Sequence, residues 1–163
     1  MTRILYVCMG NICRSPTAKG VFDATLRERG IAFESASAGT HEYHVGRRPD
    51  ARAIRAASAV GIDIADDIAR QVAENDFHAF DRIFVMDRAN FEVLARIRPA
   101  DARAEVRLIM ELVPEYGLDE VPDPYYGGDD GFVRVIDMLQ AAALALAEEL
   151  ASAAGRERGT TPE

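Results

Sequence analysis

The chain has 163 residues, a formal net charge of −8 at pH 7 and 48% apolar residues. That length suits one domain with a substantial core, and the acidity argues against a nucleic-acid partner, because phosphate backbones require a basic surface. With no apolar run able to span a bilayer and no signal-peptide pattern ahead of the first strand, membrane insertion is not expected and the expected compartment is the cytoplasm.

Arg3 to Cys8 reads as a short buried strand, with Ile4, Leu5, Tyr6 and Val7 in an unbroken apolar run. Ser15-Pro16 signals a helix start, an N-cap type followed by proline at the first helical position, and Gly30 stops that helix after Arg29. Phe33 to Ser37 is a second strand and Ala38 to Pro49 a loop. Asp50 caps a helix that runs through Val60 to a stop at Gly61. Arg82 to Met86 is the third strand, and Asp87 caps a helix from Ala89 to Ile97 that Pro99 closes. Val106 to Met110 is the fourth strand, followed by a polar loop, rich in proline and glycine, from Pro114 to Gly128. The last helix, Asp130 to Ala154, places Phe132, Val135, Ile136, Leu139 and Ala143 on one face. Residues 1–154 are thus expected to form one domain, and Gly155 to Glu163 a frayed tail. Strands alternating with helices predict an α/β fold, a single-domain sandwich around a four-stranded parallel sheet with helices on both faces. Ligands of such sheets bind beyond the carboxyl ends of the strands, and Cys8 stands at the end of the first.

The segment Cys8-Met9-Gly10-Asn11-Ile12-Cys13-Arg14-Ser15-Pro16 joins that strand to a helix N-terminus, where free N–H groups and the helix dipole favour an anion. Gly10 and Asn11 tolerate the positive φ that turns successive N–H groups inward, a nest suited to the oxygens of a phosphoryl group. Arg14 adds a planar, permanently charged fork that matches phosphate geometry. A cysteine at the floor of such a cradle is expected to be a thiolate at neutral pH. Taken singly, these residues have plainer readings: Cys8 a small buried hydrophobe, Ser15 a cap, Gly10 a turn. Their order along one strand–loop–helix unit favours the chemical reading. The two cysteines, Cys8 and Cys13, lie too close in sequence to staple a fold, so chemical use is more plausible for them too.

Cys8 to Pro16, preceded by Ile4-Leu5-Tyr6-Val7, resembles the phosphate loop of the low-molecular-weight protein tyrosine phosphatases, and Asp123-Pro124-Tyr125-Tyr126-Gly127 resembles that family's second motif. Ser37-Ala38-Gly39-Thr40, Ala69-Arg70-Gln71-Val72 and Met86-Asp87 match further, so the likeness runs from Arg3 to about Leu150. The resemblance implies hydrolysis of phosphotyrosine in proteins through a cysteinyl-phosphate, with Cys8 as nucleophile, Arg14 and the loop N–H groups of Met9, Gly10, Asn11, Ile12 and Cys13 on the phosphate, and Asp123 as general acid and then base. It makes Ser15 the hydroxyl beside the sulfur, Asn11 and Ser37 the polar support of the loop, and Tyr43, Tyr125 and Tyr126 the walls of the substrate cleft. No metal or other cofactor is expected; three histidines and two cysteines offer no ligand cluster. The resemblance also tips the Cys8–Cys13 pair toward a reversible disulfide, against the alternative that Cys13 merely packs.

His41 and His44 are expected to be exposed in a variable loop, and His78 on an ordinary surface. One departure stands out. Asp67 occupies the place where the family often carries a histidine, and a carboxylate there would raise the Cys8 pKa by like-charge repulsion. An arsenate reductase of the same fold would need cysteines after Cys13, and there are none. A non-catalytic phosphoprotein-binding module or thiol sensor would be expected to lack Cys8, Arg14 or Asp123. The partners are therefore phosphotyrosine proteins, an autophosphorylated tyrosine kinase or, if the chain is exported without a signal peptide, host proteins.

Overall fold

A computed structural model describes residues 1–159. Four parallel strands, β1 (Thr2–Cys8), β2 (Phe33–Gly39), β3 (Arg82–Val85) and β4 (Glu105–Leu108), lie in the order β2-β1-β3-β4. Parallel strands need covered crossovers, and the helices α1 (Arg14–Glu28), α2 (Ala51–Ala59), α3 (Asp76–Ala79), α4 (Arg88–Ile97) and α5 (Asp129–Arg158) supply them.

The unbroken apolar run of β1 is explained by its central place. Ile4, Leu5, Tyr6 and Val7 are all fully buried, because helices cover both faces of the sheet. Alternate side chains enter opposite cores. Ile4, Tyr6, Cys8, Phe84 and Met86 pack with Phe22 and Leu26 of α1 and Met138, Leu139 and Leu146 of α5. Leu5, Val7, Ile83 and Val85 pack on the other side with Phe77, Leu94 and Ala104. A third, smaller cluster of Ile12, Ala53, Ala57, Ile64, Phe132 and Ile136 joins the loop after β1 to α2 and α5. The connection order reverses between β1 and β3, so the crevice beyond their carboxyl ends is the switch point of the sheet.

The expected sandwich is present, and several boundaries differ for identifiable reasons. Ser15 is not the cap of α1: the helix begins at Arg14 with Cys13 at the cap position and no capping side chain, since the Ser15 hydroxyl is engaged elsewhere. β2 extends through Ala38 and Gly39, which pair with Val7 and Cys8. β4 ends at Leu108, and Ile109–Leu112 turns into a 3₁₀ helix under α5, so apolar residues expected to continue the strand are buried by a turn instead. A second 3₁₀ helix, Pro114–Tyr116, sits within the expected loop. α3 has only four residues, too few to leave a periodic signal. α5 continues through the start of the expected tail to Arg158, while residues 160–163 lie outside the described residues. The caps Asp50 and Asp87 stand as expected, Asp50 accepting the Arg52 N–H and Asp87 forming a capping box with Asn90.

Tyr6 carries a consequence for stability. Its hydroxyl is buried with no hydrogen-bond partner among the described residues, and burial, then the nearby Asp23 carboxylate, push its pKa well above the ordinary value. A buried unpaired hydroxyl costs about 1–3 kcal/mol, so Tyr6→Phe should leave the protein as stable as the parent or about 1–2 kcal/mol more stable in urea titration at pH 7. Above about pH 10 the unfolded chain releases the phenolic proton while the native state retains it, so the parent should lose stability as pH rises and the variant should lose less. A Tyr6→Phe protein that is clearly less stable at pH 7 would show that the hydroxyl has a partner.

Candidate active site

Two constraints shape the loop after β1. Asn11 takes φ of 58°, the positive-φ residue that the Gly10-Asn11 pair anticipated, whereas Gly10 itself is not in that region. Gly10 is needed for space: a Cβ there would stand 2.8 Å from His44 Cδ2. Gly39, at the end of β2, would likewise drive a Cβ to 2.7 Å from the Met9 carbonyl oxygen, so the loop descends onto a bare backbone.

Asn11 then acts as the hub. Its amide nitrogen donates to Ser15 Oγ (2.7 Å) and Ser37 Oγ (2.9 Å), and its Oδ1 accepts the Arg70 backbone N–H (3.0 Å). Its own backbone N–H points at Cys8 Sγ (3.3 Å). Ser15 Oγ lies 3.1 Å from the same sulfur and 3.4 Å from the Ala38 carbonyl. Since Asn11 donates into Ser15, the single hydroxyl proton is left to be shared between the sulfur and the Ala38 carbonyl. The backbone N–H groups of Met9, Gly10, Ile12 and Cys13 have no acceptor among the described residues.

Arg14, only 2% exposed, is held from behind. Its Nη1 donates to Asp87 Oδ2 (2.6 Å) and to the Val121 carbonyl (3.0 Å), and its Nη2 lies 3.6 Å from Asp123 Oδ2. Burial works against the guanidinium charge, but Cys8, the hydrogen-bonded Asp87 and Asp123 outweigh it and hold the pKa above its ordinary value. Asp87 thus serves two elements, accepting the Asn90 N–H at the start of α4 with one oxygen and Arg14 with the other. Asp123 accepts the Tyr125 N–H (3.0 Å) and remains about a third exposed.

These groups open into one cavity of about 350 Å³ lined by Cys8, Met9, Gly10, Ile12, Cys13, Arg14, Tyr43, His44, Asp123, Tyr125 and Tyr126. Tyr125 and Tyr126 meet edge to face with centroids 5.0 Å apart, and Tyr43, 66% exposed, stacks on His41 at 5.1 Å. Every site residue expected from the sequence therefore lines this cavity or supports its loop. His41 and His44 are not exposed as expected; both are half-buried, and His44 packs on Gly10 and beside Tyr125. Asp67 lines a separate cavity with Lys19, Asp23 and Asp63, where burial raises its pKa and Lys19 opposes the rise. The side chain of Asn11 is instead supported from this segment by the Arg70 backbone N–H. Cys13 is a buried free thiol pushed upward in pKa by burial, then by Asp50, Cys8 and Asp123. Two participants went unrecognised in the sequence. Asp87 was read as a cap and as part of the Met86-Asp87 match, with no role in the site, although a carboxylate at the end of β3 is well placed to meet the loop after β1, and His44 had no local signal.

Fold and site together define a strand–loop–helix anion cradle with a cysteine at its floor and an acid at its rim. Residues 3–156 match the family model of the low molecular weight phosphotyrosine protein phosphatases, and the chain belongs to that family. It is 39% identical over 145 residues to the low molecular weight phosphotyrosine protein phosphatase of Schizosaccharomyces pombe, covering 85% of this chain and 92% of the yeast protein. It is 39% identical over 151 residues to a low molecular weight protein-tyrosine-phosphatase of Streptomyces coelicolor, covering 88% and 90%. Among solved structures, the protein tyrosine phosphatase of Entamoeba histolytica with Hepes in its active site superposes with a TM-score of 0.89 at 36% identity, covering 94% of this chain and 99% of that one.

The dependence of Arg14 on Asp87 can be measured. Removing one partner of a buried ion pair costs about 3–5 kcal/mol, and Asp87 is 20% exposed, so Asp87→Ala should lower unfolding stability by about 3 kcal/mol, cap included. It should also weaken competitive inhibition by inorganic phosphate. Asp87→Asn, which keeps a cap and an acceptor, should lose less on both counts. An Asp87→Ala protein with parental stability and phosphate affinity would mean that Arg14 does not rely on this pair.

Proposed function

We propose that the chain hydrolyses phosphotyrosine in proteins through a cysteinyl-phosphate. The observation that carries the proposal is the meeting of Cys8, Arg14 and Asp123 in one cavity, with Asp123 Oδ2 3.6 Å from the Arg14 guanidinium. In the first step the Cys8 thiolate attacks phosphorus in line, the phosphorus–oxygen bond to the tyrosine breaks, and the Asp123 carboxyl gives its proton to the departing phenol. In the second, water attacks the cysteinyl-phosphate and gives a proton to the Asp123 carboxylate. The sulfur–phosphorus bond breaks, and inorganic phosphate leaves.

Arg14 and the unengaged N–H groups of Met9, Gly10, Ile12 and Cys13 take up the charge on the equatorial oxygens in both steps. The Asn11 N–H and the Ser15 hydroxyl stabilise the sulfur as it departs. Tyr43, Tyr125 and Tyr126 give a flat aromatic ring apolar surface, which favours a phenyl ester over an aliphatic one. The chemistry uses no cofactor.

Steady-state kinetics on purified variants decide the matter. Cys8→Ser and Arg14→Ala should abolish hydrolysis of p-nitrophenyl phosphate, and phosphotyrosine peptides should be strongly preferred to phosphoserine peptides. Asp123→Ala should lose about 10²–10⁴-fold on esters with poor leaving groups and much less on good ones. Turnover by Cys8→Ser, or an equal loss across the leaving-group series, would contradict the assigned roles.

The reading extends to Cys13, which shares the cavity with Cys8 and takes no part in either step. Peroxide that enters the cavity converts the Cys8 thiolate, itself buried at its floor, to a sulfenic acid. Attack by the Cys13 sulfur then forms a Cys8–Cys13 disulfide and releases water. Cytoplasmic thiol reductants would restore both thiols. Cys13→Ser should retain most basal activity yet recover far less than the parent with dithiothreitol after the same exposure. Equal recovery, with no intramolecular disulfide by mass spectrometry, would remove the protective role.

A further inference from the structure

Arg52 stands in the first turn of α2, away from the phosphate loop in sequence, and takes no part in the steps above. Its guanidinium is nevertheless bonded on every side. Nε and Nη2 grip Asp50 bidentately (3.1 and 3.0 Å), Nη1 donates to the Gly127 carbonyl (3.1 Å), and Nη2 also donates to the Tyr125 carbonyl (2.9 Å). Its Cζ lies over the Phe132 ring, 4.6 Å from the centroid, and over the Tyr125 ring, 5.6 Å from the centroid. Asp50 in turn donates its backbone N–H to the Ile12 carbonyl (2.8 Å), inside the phosphate loop.

The segment carrying Asp123 therefore has two tethers. On its N-terminal side Val121 is fully buried, its N–H donating to the Met86 carbonyl (2.8 Å) and its own carbonyl accepting Arg14. On its C-terminal side the limb turns on itself through the Asp123–Tyr125 and Pro124–Gly127 bonds and runs into α5, and Arg52 ties its carbonyls to the rest of the molecule. Asp123 is the residue suspended between the two.

We infer that Arg52 is a positioning residue for the acid: it locks the Tyr125–Gly127 limb to the phosphate loop through Asp50, so that Asp123 presents its carboxyl at a fixed distance from the phosphoryl group. Only a planar fork serves, since it must grip a carboxylate along one edge, reach two carbonyls and stack between two rings, which an ammonium cannot do. The inference rests on Asp123 being the general acid.

The test uses the full chain with Arg52→Ala and Arg52→Lys, on p-nitrophenyl phosphate and phenyl phosphate, beside Asp123→Ala and the Arg52→Ala/Asp123→Ala double variant. Because small misplacements of a reacting group cost up to about 10²-fold, Arg52→Ala should lower kcat on phenyl phosphate about 10- to 100-fold while p-nitrophenyl phosphate changes less than about threefold. Inhibition by inorganic phosphate should be unchanged, because the cradle is intact. Arg52→Lys should recover only part of the loss, and the double variant should be no slower than Asp123→Ala alone. Amide hydrogen exchange should quicken at Tyr125 and Gly127 and stay parental at Asn11. A loss by Arg52→Ala that is equal for both esters while Asp123→Ala is selective would overturn the inference, as would parental exchange in the limb. If Asp123→Ala were itself unselective, the acid assignment would fall, and the exchange measurement would still decide whether Arg52 holds the limb.

Discussion

A guanidinium removed almost entirely from water is the constraint on which the site depends. Isolated, such a charge would cost many kcal/mol to bury, so Arg14 needs partners, and they come from three directions. Asp87 lies just past the end of β3, Val121 and Asp123 belong to the long connection before α5, and Cys8 ends β1. Each of these segments is placed by a different part of the fold, and the charge of one side chain draws them to a common point. The carboxylates that stabilise Arg14 also keep it at the wall of the cavity, so the same bonds serve folding and the shape of the site.

The phosphate loop shows a second economy, of volume. Asn11 sits in a left-handed conformation that few side chains tolerate, and the hydroxyls of Ser15 and Ser37 and the Arg70 amide oblige it to stay there. Gly10 and Gly39 remove the two methylene groups that would otherwise collide with His44 and with the Met9 carbonyl. The loop is thus shaped from outside, by neighbours on β2 and the segment before β3, and among the described residues the N–H groups of Met9, Gly10, Ile12 and Cys13 are left uncommitted.

What the sequence made legible follows from the range of each interaction. The apolar run Ile4 to Val7, the caps Asp50 and Asp87 and the helix stop at Gly30 depend on neighbours within a few residues, and those elements were readable to within one or two positions. The cradle was legible because its parts are contiguous from Cys8 to Pro16. Contacts made across the sheet were not: Asp87 on Arg14 spans 73 residues, and Arg52 on Tyr125 the same number. Ser15 misled for the opposite reason, since its composition favours a cap while the tertiary pull of Cys8 Sγ and Asn11 claims its hydroxyl. Asp67 lines a hollow with Lys19 and Asp23, separate from the cavity that holds the thiol, a placement set by tertiary packing and not by its sequence neighbours.

The long last helix separates the ends of the molecule. At 1.5 Å per residue, α5 extends about 45 Å from Asp129, beside the limb that Arg52 grips, to Arg158. Arg158 shares a surface hollow with Met1 and Thr2 at the pole where the strands begin. A surface linkage, an affinity handle or a fluorescent reporter joined near Met1 or beyond Arg158 would therefore hang from the pole opposite the cavity. Such a molecule can be tethered with the mouth of its cavity turned outward.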